Sequence, residues 1–440
     1  MPDRACYRAS MLARALTVYQ WIRTSLWALP LLMVLCAAGA AFLTLNIRLE
    51  SGGDQKWWWL YSGDAGQARG LLSSLLGAMI TMGTLVISIT MVVLTLAAQQ
   101  LGPRLIHSFM ADRRTQASIG LFIATIVYLL LVLRTIHGGA DGGIPNLAVS
   151  VGTGLVLFSV VTLPVFVHHL ARAIISDAVI WRVGNALDAA ARSLLPDQTD
   201  PEHALGSLQA PEDRAPIKLP RGGYIQAIDH GALVACAKAA DAVIVLDYRP
   251  GHHVIAGVAI GWFSPPTADR DKIDEAVRAG VLLGSERTPL QDIEYSVRQL
   301  SEVALRALSP GVNDPHTAVV AIDRLAQSLG LIMQRGSAPQ VWRDDDGAVR
   351  LIAAGSTFEG ILDEAFNQIR QAGERQPAIL IRLAENLAQL AEVASTAQRQ
   401  QLAVHLNLVV EAGRRNVESS RDLMGIEDAV KRGLARCTVV

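Results

Sequence analysis

The chain has 440 residues, of which 51% are hydrophobic and only 18% carry a charge. Soluble chains carry about 25% charged residues, so this composition argues against an ordinary water-soluble globular protein. The formal net charge of −1 leaves no basic excess on which to predict nucleic-acid binding, and none is predicted. Part of the chain must therefore be solvated by lipid, and the lipid bilayer is its first predicted partner.

Four apolar segments near the amino terminus are long enough to cross a membrane. A transmembrane helix needs about 20 apolar residues to cross a hydrocarbon core of about 30 Å. The predicted spans are residues 25–45, 70–98, 117–133 and 144–167. None of them contains Asp, Glu, Lys or Arg, so no proton relay or charged substrate site is predicted inside the membrane. Residues 1–170 are therefore predicted to form a transmembrane domain.

Basic residues on alternate sides of the spans predict their orientation, because Lys and Arg are enriched in cytoplasmic loops. The predicted inner side holds Arg4, Arg8, Arg14, Arg23, Arg104, Arg113, Arg114, Arg172 and Arg182. The outer loops hold Arg48, Lys56, Arg69 and Arg134, and nearby acids balance the first three. Trp57-Trp58-Trp59 and Tyr61 in the first outer loop are typical of an interfacial aromatic belt, with an aromatic ligand site as the alternative. Both termini are predicted to be cytoplasmic.

The second span differs from the others because one face is small and bears hydroxyls. Its members recur at steps of three and four residues, which places them on one side of a helix. They are Ser74, Gly77, Thr81, Thr84, Ser88 and Thr95, together with Met91. Small residues let helices pack closely, whereas a row of hydroxyls can also line a water-filled path in an oligomer. Both interpretations stand, and packing is the simpler one. The span also exceeds one bilayer thickness, so it must tilt or project beyond the lipid.

Beyond the spans the sequence predicts a water-soluble region in three parts. Residues 171–221 contain an amphipathic helix and a polar, proline-rich linker. Residues 222–266 contain short apolar runs between turn residues, which predict a small β-containing unit. Residues 267–440 are predicted to be all-helical, and the helices are Asp271–Leu283, Pro289–Leu308, Pro315–Arg335, Phe358–Gly373, Pro377–Ser395 and Ala397–Ser419. The predicted fold class is an α-helical membrane protein, with four transmembrane helices followed by a small α+β unit and a mostly α-helical cytoplasmic domain.

One loop between two predicted helices has a distinctive sequence. Residues 307–318 read Ala-Leu-Ser-Pro-Gly-Val-Asn-Asp-Pro-His-Thr-Ala, with Asn313 or Asp314 placed to cap a helix whose first turn holds Pro315. Together with Gly284-Ser285-Glu286-Arg287-Thr288, this loop resembles the hallmark of the domain-of-unknown-function 2254 family of predicted bacterial membrane proteins. The resemblance implies a bacterial inner-membrane protein with amino-terminal spans, and it implies no activity. At His252-His253 the chain departs from the acid and aromatic residue that the family tends to carry.

The densest polar group in the sequence flanks these helices. Its members are Glu286, Arg287, Asp292, Asn313, Asp314 and His316. If the two loops converge, Arg287 and the helix start at Asn313 and Asp314 are suited to bind a small anion or ion. A buried salt bridge beside a capped turn explains the same residues and is the favoured interpretation.

The sequence contains no common catalytic or metal-binding motif. The Walker A loop and the HExxH and GxSxG motifs are all missing. The cysteines are scattered and form no CxxC pair; they are Cys6, Cys36, Cys236 and Cys437. The pairs His168-His169 and His252-His253 are adjacent, so on a helix their rings point to different sides. We therefore predict no cofactor, no metal site and no enzymatic activity, with a membrane-bound enzyme using Arg287, Asp292 and His316 as a minor alternative.

Two functional hypotheses follow from these features. The first is a homo-oligomeric channel or transport-related protein, in which the second span lines a conduction path and the cytoplasmic domain gates it or senses a ligand. The second is a membrane-tethered scaffold or signalling protein, whose helical domain binds a protein or a small ligand. The permeant species, the ligand and the subunit number are not encoded in any motif of the sequence.

Overall fold

Four long apolar helices lie among the described residues of the amino-terminal part. The computed structural model describes residues 27–47, 60–101, 112–136, 145–173, 176–197 and 213–438. The four helices are Ala28–Asn46 (α1), Ala65–Leu101 (α2), Arg113–Thr135 (α3) and Asn146–Ala173 (α4). All four are long and apolar enough to cross a membrane, so each is a candidate span, as the sequence predicted.

Some predicted features lie outside the described residues. Residues 25, 26 and 144 at the edges of the predicted spans are among them. So are Trp57–Trp59 of the predicted aromatic belt, and the basic residues Arg4, Arg8, Arg14, Arg23, Arg48, Lys56 and Arg104. Within the described residues the protein is mostly helical. It divides into a membrane unit, Val18–Ile175, and a carboxy-terminal unit that contains Ser176–Val440.

Polar caps set the starts of α2 and α3. The Asp64 carboxylate accepts a hydrogen bond from the Gln67 backbone N–H (2.7 Å), and the Asp112 carboxylate accepts one from the Thr115 hydroxyl (2.8 Å). Both caps precede the apolar runs, so both helices begin before the predicted spans. At a rise of about 1.5 Å per residue, the 37 residues of α2 extend for about 55 Å, well beyond a hydrocarbon core of about 30 Å.

α3 is the central helix of the membrane unit, because it packs against α1, α2 and α4. Gly120 allows its close approach to α1, since a Cβ at this position would lie 3.0 Å from Pro30 Cα. The Tyr128 hydroxyl donates to the Ala148 carbonyl oxygen of α4 (3.1 Å) and bonds the Thr44 hydroxyl of α1 (2.9 Å). An unpaired polar group in lipid costs several kcal/mol, so these bonds both satisfy the hydroxyls and join three helices.

The carboxy-terminal unit contains two small β-sheets. The strands are Ala215–Lys218 (β1), Gly223–Ile228 (β2), Val243–Leu246 (β3), His253–Val254 (β4), Ala259–Ser264 (β5), Val281–Gly284 (β6), Val341–Arg343 (β7) and Val349–Ala353 (β8). One sheet has the order β1-β5-β3-β8-β7, in which β3 and β8 are parallel and the other pairs antiparallel. The other sheet is antiparallel, in the order β4-β2-β6. Buried apolar residues such as Ile217, Ile244, Phe263 and Leu351 form their common core.

Helices make up the rest of this unit. They are Ser176–Leu194 (α5), His230–Ala239 (α6), Arg270–Gly280 (α7), Ile293–Ala307 (α8), Pro315–Met333 (α9), Phe358–Ala372 (α10), Pro377–Val393 (α11), Thr396–Asn416 (α12) and Ser420–Thr438 (α13). The apolar stripe of α11 is buried at Leu380, Leu383, Leu387 and Leu390, whereas Val393 at its end is exposed. α13 is additional to the predicted helices and packs against α11 and α12.

Three strands correct the prediction that residues 267–440 are entirely helical. α7 ends at Gly280, and the last residues of the predicted helix Asp271–Leu283 instead pair with β2 as strand β6. β7 and β8 form a hairpin around the acidic turn Asp344–Gly347. Strands of three to five residues are too short for their alternation to stand out beside long helical patterns.

A further strand lies inside the predicted linker, residues 196–221. β1 contains Pro216, which has no backbone N–H to donate. The strand accommodates this proline because it is an edge strand that pairs only with β5. Residues 198–212 of the predicted linker lie outside the described residues.

α5 belongs to the core of the carboxy-terminal unit. Its apolar face is buried at Val179, Val183 and Leu187, and the helix packs against α8 and α9. This arrangement agrees with the amphipathic pattern, although Ile174 and Ile175 of that pattern lie outside the described residues. The first helix after the last candidate span is therefore built into the domain that follows.

Candidate functional site

The small hydroxyl face of α2 points away from the other described helices of the membrane unit. The buried residues of α2 are Ala68, Leu72, Met79, Gly83, Val86, Thr90 and Val93. At about 100° per residue, the predicted stripe lies on nearly the opposite side of the helix. All of its members are exposed: Ser74, Gly77, Thr81, Thr84, Ser88 and Thr95. Packing against the described helices of the same chain therefore does not explain the stripe.

The threonines of this face bond to their own helix. The hydroxyls of Thr81, Thr84 and Thr95 each donate to the carbonyl oxygen four residues earlier, at 2.9–3.1 Å. At Gly77 no atom lies within 4 Å of where a Cβ would be, so the surface there is open. The three donors are thus satisfied without a second chain, while the hydroxyl oxygens can still accept hydrogen bonds.

The predicted polar group separates into two parts at opposite ends of α8. Asp292 caps the start of this helix, and its carboxylate accepts hydrogen bonds from Arg287 Nε (2.8 Å) and Nη2 (3.1 Å). Asp292 is 1% exposed, and Gly251 packs so closely that a Cβ there would lie 2.1 Å from Asp292 Oδ2. Glu286 is exposed beside this pair. The Arg287–Asp292 pair is therefore a buried ion pair at a helix cap.

The other half of the group follows the far end of α8. Asp314 caps α9 by accepting hydrogen bonds from the backbone N–H (3.1 Å) and hydroxyl (2.6 Å) of Thr317, and these bonds lower the pKa of its carboxyl. Asn313 has a φ of 47°, and both Asn313 and His316 are exposed. The 15 residues of α8 separate the two halves by about 22 Å. The structure does not bring them together, so it does not assemble the anion site that convergence of the loops would have made.

A cleft in the carboxy-terminal unit brings together residues that are far apart along the chain. Its cavity measures about 240 Å³. The walls are formed by Ser193, Leu194, Leu195, His230, Arg249, Pro250, Gln291, Ile293, Ala338, Pro339, Trp342, Ala354, Gly355 and Ser356. These residues come from the end of α5, the start of α6, the turn after β3, the start of α8 and the segment before it, strand β7 with the segment that precedes it, and the segment before α10. Residues so distant in sequence share no spacing that a single chain could reveal.

Two aromatic rings stack at the wall of this cleft. The imidazole of His230 and the indole of Trp342 have centroids 4.1 Å apart and planes inclined by 8°. His230 is the first residue of α6, whose cap is Asp229, with the carboxylate accepting from Ala232 N (2.9 Å). Burial lowers the pKa of the His230 imidazole to about 4, against the smaller opposing effect of the Asp229 charge. At neutral pH this ring is therefore uncharged.

The polar lining of the cleft is largely paired. Arg249 Nη2 donates to Glu294 Oε1 at 2.5 Å, with both side chains less than 15% exposed. The Gln291 side chain bonds both backbone groups of Ile228, accepting from N (2.9 Å) and donating to O (3.2 Å). Gln291 thereby replaces a strand neighbour at the end of β2. These bonds fix the positions of the guanidinium and amide groups.

A buried arginine fastens α5 to α9. The Arg324 side chain is 2% exposed, and its Nη2 donates to Asp188 Oδ2 (2.7 Å) and Asn185 Oδ1 (3.1 Å) of α5. Gly184 provides the space for it, because a Cβ there would lie 2.3 Å from Arg324 Nε. The guanidinium also lies over the Trp181 ring, 5.2 Å from its centroid. One glycine and one ion pair therefore specify where α5 sits within its unit.

Comparisons with known proteins place the chain in a family. Residues 23–389 match the predicted membrane proteins designated DUF2254, which confirms the resemblance first noted at residues 307–318. Uncharacterised proteins of Mycobacterium bovis and Mycobacterium tuberculosis are 30% identical over 439 residues, covering 96% of this chain and 82% of each relative. No solved structure matches the chain. The chain therefore belongs to the DUF2254 family of predicted membrane proteins.

Proposed function

We propose that this protein is a homo-oligomeric membrane protein in which the α2 helices of several copies surround a conduction path. The observation that carries this proposal is the exposed hydroxyl face of α2, which lies nearly opposite the face that packs within the chain. A helix that only anchors a protein needs no row of small hydroxyl residues on its lipid side. The same face in an oligomer allows close helix approach and offers hydroxyl oxygens to water.

The chemistry of the face limits what such a path would conduct. The predicted spans contain no acidic or basic side chain, so there is no charged ring to select ions within the membrane. Selection then depends on the diameter of the path and on its hydroxyl oxygens. The length of α2, about 55 Å for 37 residues, carries the helix beyond the bilayer. Its ends are therefore suited to form the mouths of the path.

We place the protein in the bacterial inner membrane with both termini in the cytoplasm. Among the described residues, Arg113, Arg114 and Arg172 lie at span ends on the proposed inner side. The proposed outer side has Arg69 and Arg134, with Asp64 close to Arg69 in sequence. This imbalance supports the orientation through the preference of Lys and Arg for cytoplasmic loops.

The carboxy-terminal unit serves in this proposal as a water-soluble regulator without enzymatic activity. The minor alternative of an enzyme needs Arg287, Asp292 and His316 in one site, and the length of α8 separates His316 from the other two. The cleft beside His230 and Trp342 instead favours ligand recognition. It also supports the second candidate function, a membrane-tethered signalling protein in which the spans only anchor the chain.

Flux through liposomes tests the proposal. The purified protein is reconstituted into liposomes, and the release of small ions and of neutral solutes is measured. We expect flux from the native chain and its loss in Thr84→Trp, because an indole fills the path. The matched control is Ile87→Trp, which alters an exposed residue about 90° from the centre of the hydroxyl face. The proposal is contradicted if the native chain shows no flux or if the two variants show equal flux. Either result leaves the signalling function as the remaining candidate.

A further inference from the structure

The cleft beside His230 and Trp342 has the dimensions and walls of a small-molecule site. Its cavity of about 240 Å³ is below the usual range for drug-sized ligands, about 300–1,000 Å³, so it suits a compact molecule. Apolar side chains such as Leu194 and Pro339 stand beside polar ones such as Arg249 and Ser356. This mixture is typical of pockets in which apolar contact provides affinity and a few polar groups fix orientation.

The stacked rings favour a flat ligand. His230 and Trp342 lie nearly parallel at 4.1 Å, and both line the cavity. Each ring covers one face of the other, so a ligand can stack only on an outer face of the pair, and every heteroaromatic ring has a face that can match it. A round or branched aliphatic molecule of similar volume does not use this feature.

The charges around the cleft favour a ligand without net charge. Arg249 is the charged side chain among the wall residues, and its guanidinium is already bonded to Glu294 at 2.5 Å. The other nearby arginine, Arg287, is bonded to buried Asp292. An anion would have to compete with these carboxylates, and a cation would face the guanidinium groups. Neutral hydrogen-bonding edges fit the hydroxyls of Ser193 and Ser356, which line the cleft.

The cleft also includes the end of α5. Ser193 and Leu194 lie in its wall, and Arg335 holds the end of the helix by donating to the Leu195 carbonyl oxygen at 2.7 Å and to that of Arg192 at 3.1 Å. α5 is the first helix after the last candidate span in the sequence. A molecule in the cleft therefore touches the helix that follows the membrane part of the chain.

We propose that this cleft binds a neutral planar heterocycle of the nucleobase class, stacked against the His230–Trp342 pair and hydrogen-bonded at its edges. The ligand is a free base or the base of a nucleoside. In the proposed function, this site provides the sensing role of the carboxy-terminal unit. Only that role rests on the proposed function, because ligand binding itself does not require a conduction path.

Calorimetric titration of the full chain in detergent tests this inference. The probes are adenine, guanine and uracil, their nucleosides, and the nucleoside monophosphates. We expect saturable binding of at least one base or nucleoside below about 1 mM. Stronger binding of a free base than of its nucleoside identifies the base as the ligand, and the reverse order identifies the nucleoside. Binding of no base or nucleoside overturns the proposal, as does a monophosphate that binds at least about tenfold more tightly than its nucleoside.

Two variants connect binding to the cleft. Ser193→Trp places a large ring at an exposed position in the cleft wall, so it blocks the cavity without altering the core. We expect affinity to fall at least about tenfold, or about 1.4 kcal/mol, because the indole occupies space that the ligand needs. The control Ala186→Trp alters an exposed residue of the same helix that is not in the wall, and its affinity should equal that of the native chain. Equal binding by both variants overturns the assignment to this cleft.

Binding and flux are separate measurements, so their failures can be distinguished. Nucleobase binding without flux in liposomes contradicts the proposed conduction path and supports the proposed ligand site. Flux without nucleobase binding contradicts the proposed ligand site and supports the proposed conduction path.

Discussion

The membrane unit and the carboxy-terminal unit satisfy their polar groups in different ways. In the membrane unit, threonines such as Thr84 and Thr90 bond to their own helix backbone, and bonds between helices include neutral hydroxyl pairs such as Thr44–Tyr128. In the carboxy-terminal unit, side chains pair across elements, as Arg324 does with Asp188 and Arg298 with Glu364. A helix face whose hydroxyls bond to their own backbone can be exposed to lipid or to another copy. A charged side chain that is paired with another element loses its partner when the two elements separate. The stability of the two units should therefore respond differently to substitution.

The largest effect is expected when a cross-element pair is broken. Asp188→Ala leaves the Arg324 guanidinium buried and without its carboxylate, which should lower the free energy of unfolding by about 3–5 kcal/mol. Denaturant titration of the full chain in detergent measures this change. The exposed pair Arg414–Glu427 provides the control, since Glu427→Ala should cost less than about 1 kcal/mol. Equal losses in the two variants contradict the assigned role of Asp188.

A smaller loss is expected from the glycine that gives Arg324 its space. Gly184→Ala places a methyl group 2.3 Å from Arg324 Nε, so the arginine must move, at a cost of about 1–3 kcal/mol. The control is Gly311→Ala, where nothing lies within 4 Å of the added atom. If the two variants melt at the same temperature, α5 does not lie as close to α9 as described.

Acid should destabilise the carboxy-terminal unit through His230. Its pKa is about 4 in the folded protein and 6.5 in the unfolded chain, so the unfolded chain binds a proton first as the pH falls. The neutral ring contributes fully to the free energy of unfolding above about pH 6.5. This contribution declines toward pH 4, and about 2 kcal/mol of it is lost by about pH 5. Burial also lowers the pKa of His252 and of His405, so these two rings also make the folded protein less stable in acid.

Melting temperatures at about pH 7.5 and about pH 5 measure this effect. His230→Gln should show a smaller drop between the two conditions than the native chain. His253→Gln alters an exposed ring and should show the full drop. If His230→Gln loses as much stability between the two pH values as the native chain, His230 is not the source of the acid sensitivity.

The smallest effect on stability is expected at the open face of α2. Gly77→Leu adds a side chain where no atom of another element lies within 4 Å, so the free energy of unfolding of a single copy in detergent should not fall and should rise by no more than about 1 kcal/mol, the difference in helix propensity. Gly120→Leu, in contrast, drives a side chain into Pro30 and Met33 of α1 and should destabilise the membrane unit strongly. If the two variants denature at the same temperature, Gly120 does not lie on a closely packed surface and Gly77 on an open one.

The sequence predicted some parts of this molecule and not others, for physical reasons. Long, apolar, charge-free runs identified the four candidate spans, because a helix that faces lipid has no water-exposed side that needs charged residues. The short strand β1 was hidden by Pro216, which is acceptable only at a sheet edge. The strands β6, β7 and β8 gave no pattern long enough to compete with their helical neighbours. Periodicity therefore identifies long elements and is silent on short ones.

Site residues divide in the same way. The helical spacing of the stripe placed Thr81 and Thr84 on one face, and both are exposed on α2. The polar group was recognised by its density, yet α8 holds Arg287 and His316 apart. His230 and Trp342 carry no motif, because stacking depends on how the chain folds over long distances.

Disulfide cross-linking along α2 tests the central proposal most directly. Single cysteines are introduced at positions 77 to 95 in a chain from which the native cysteines have been removed, and oxidation is carried out in native membranes. We expect cross-linked dimers that recur with helical period, strong at Thr81→Cys, Thr84→Cys and Ser88→Cys and weak at Ala78→Cys and Ile87→Cys, which are exposed about 90° away on either side of the stripe. Dimers that peak at position 78 or 87, or none at any position, would contradict the proposal.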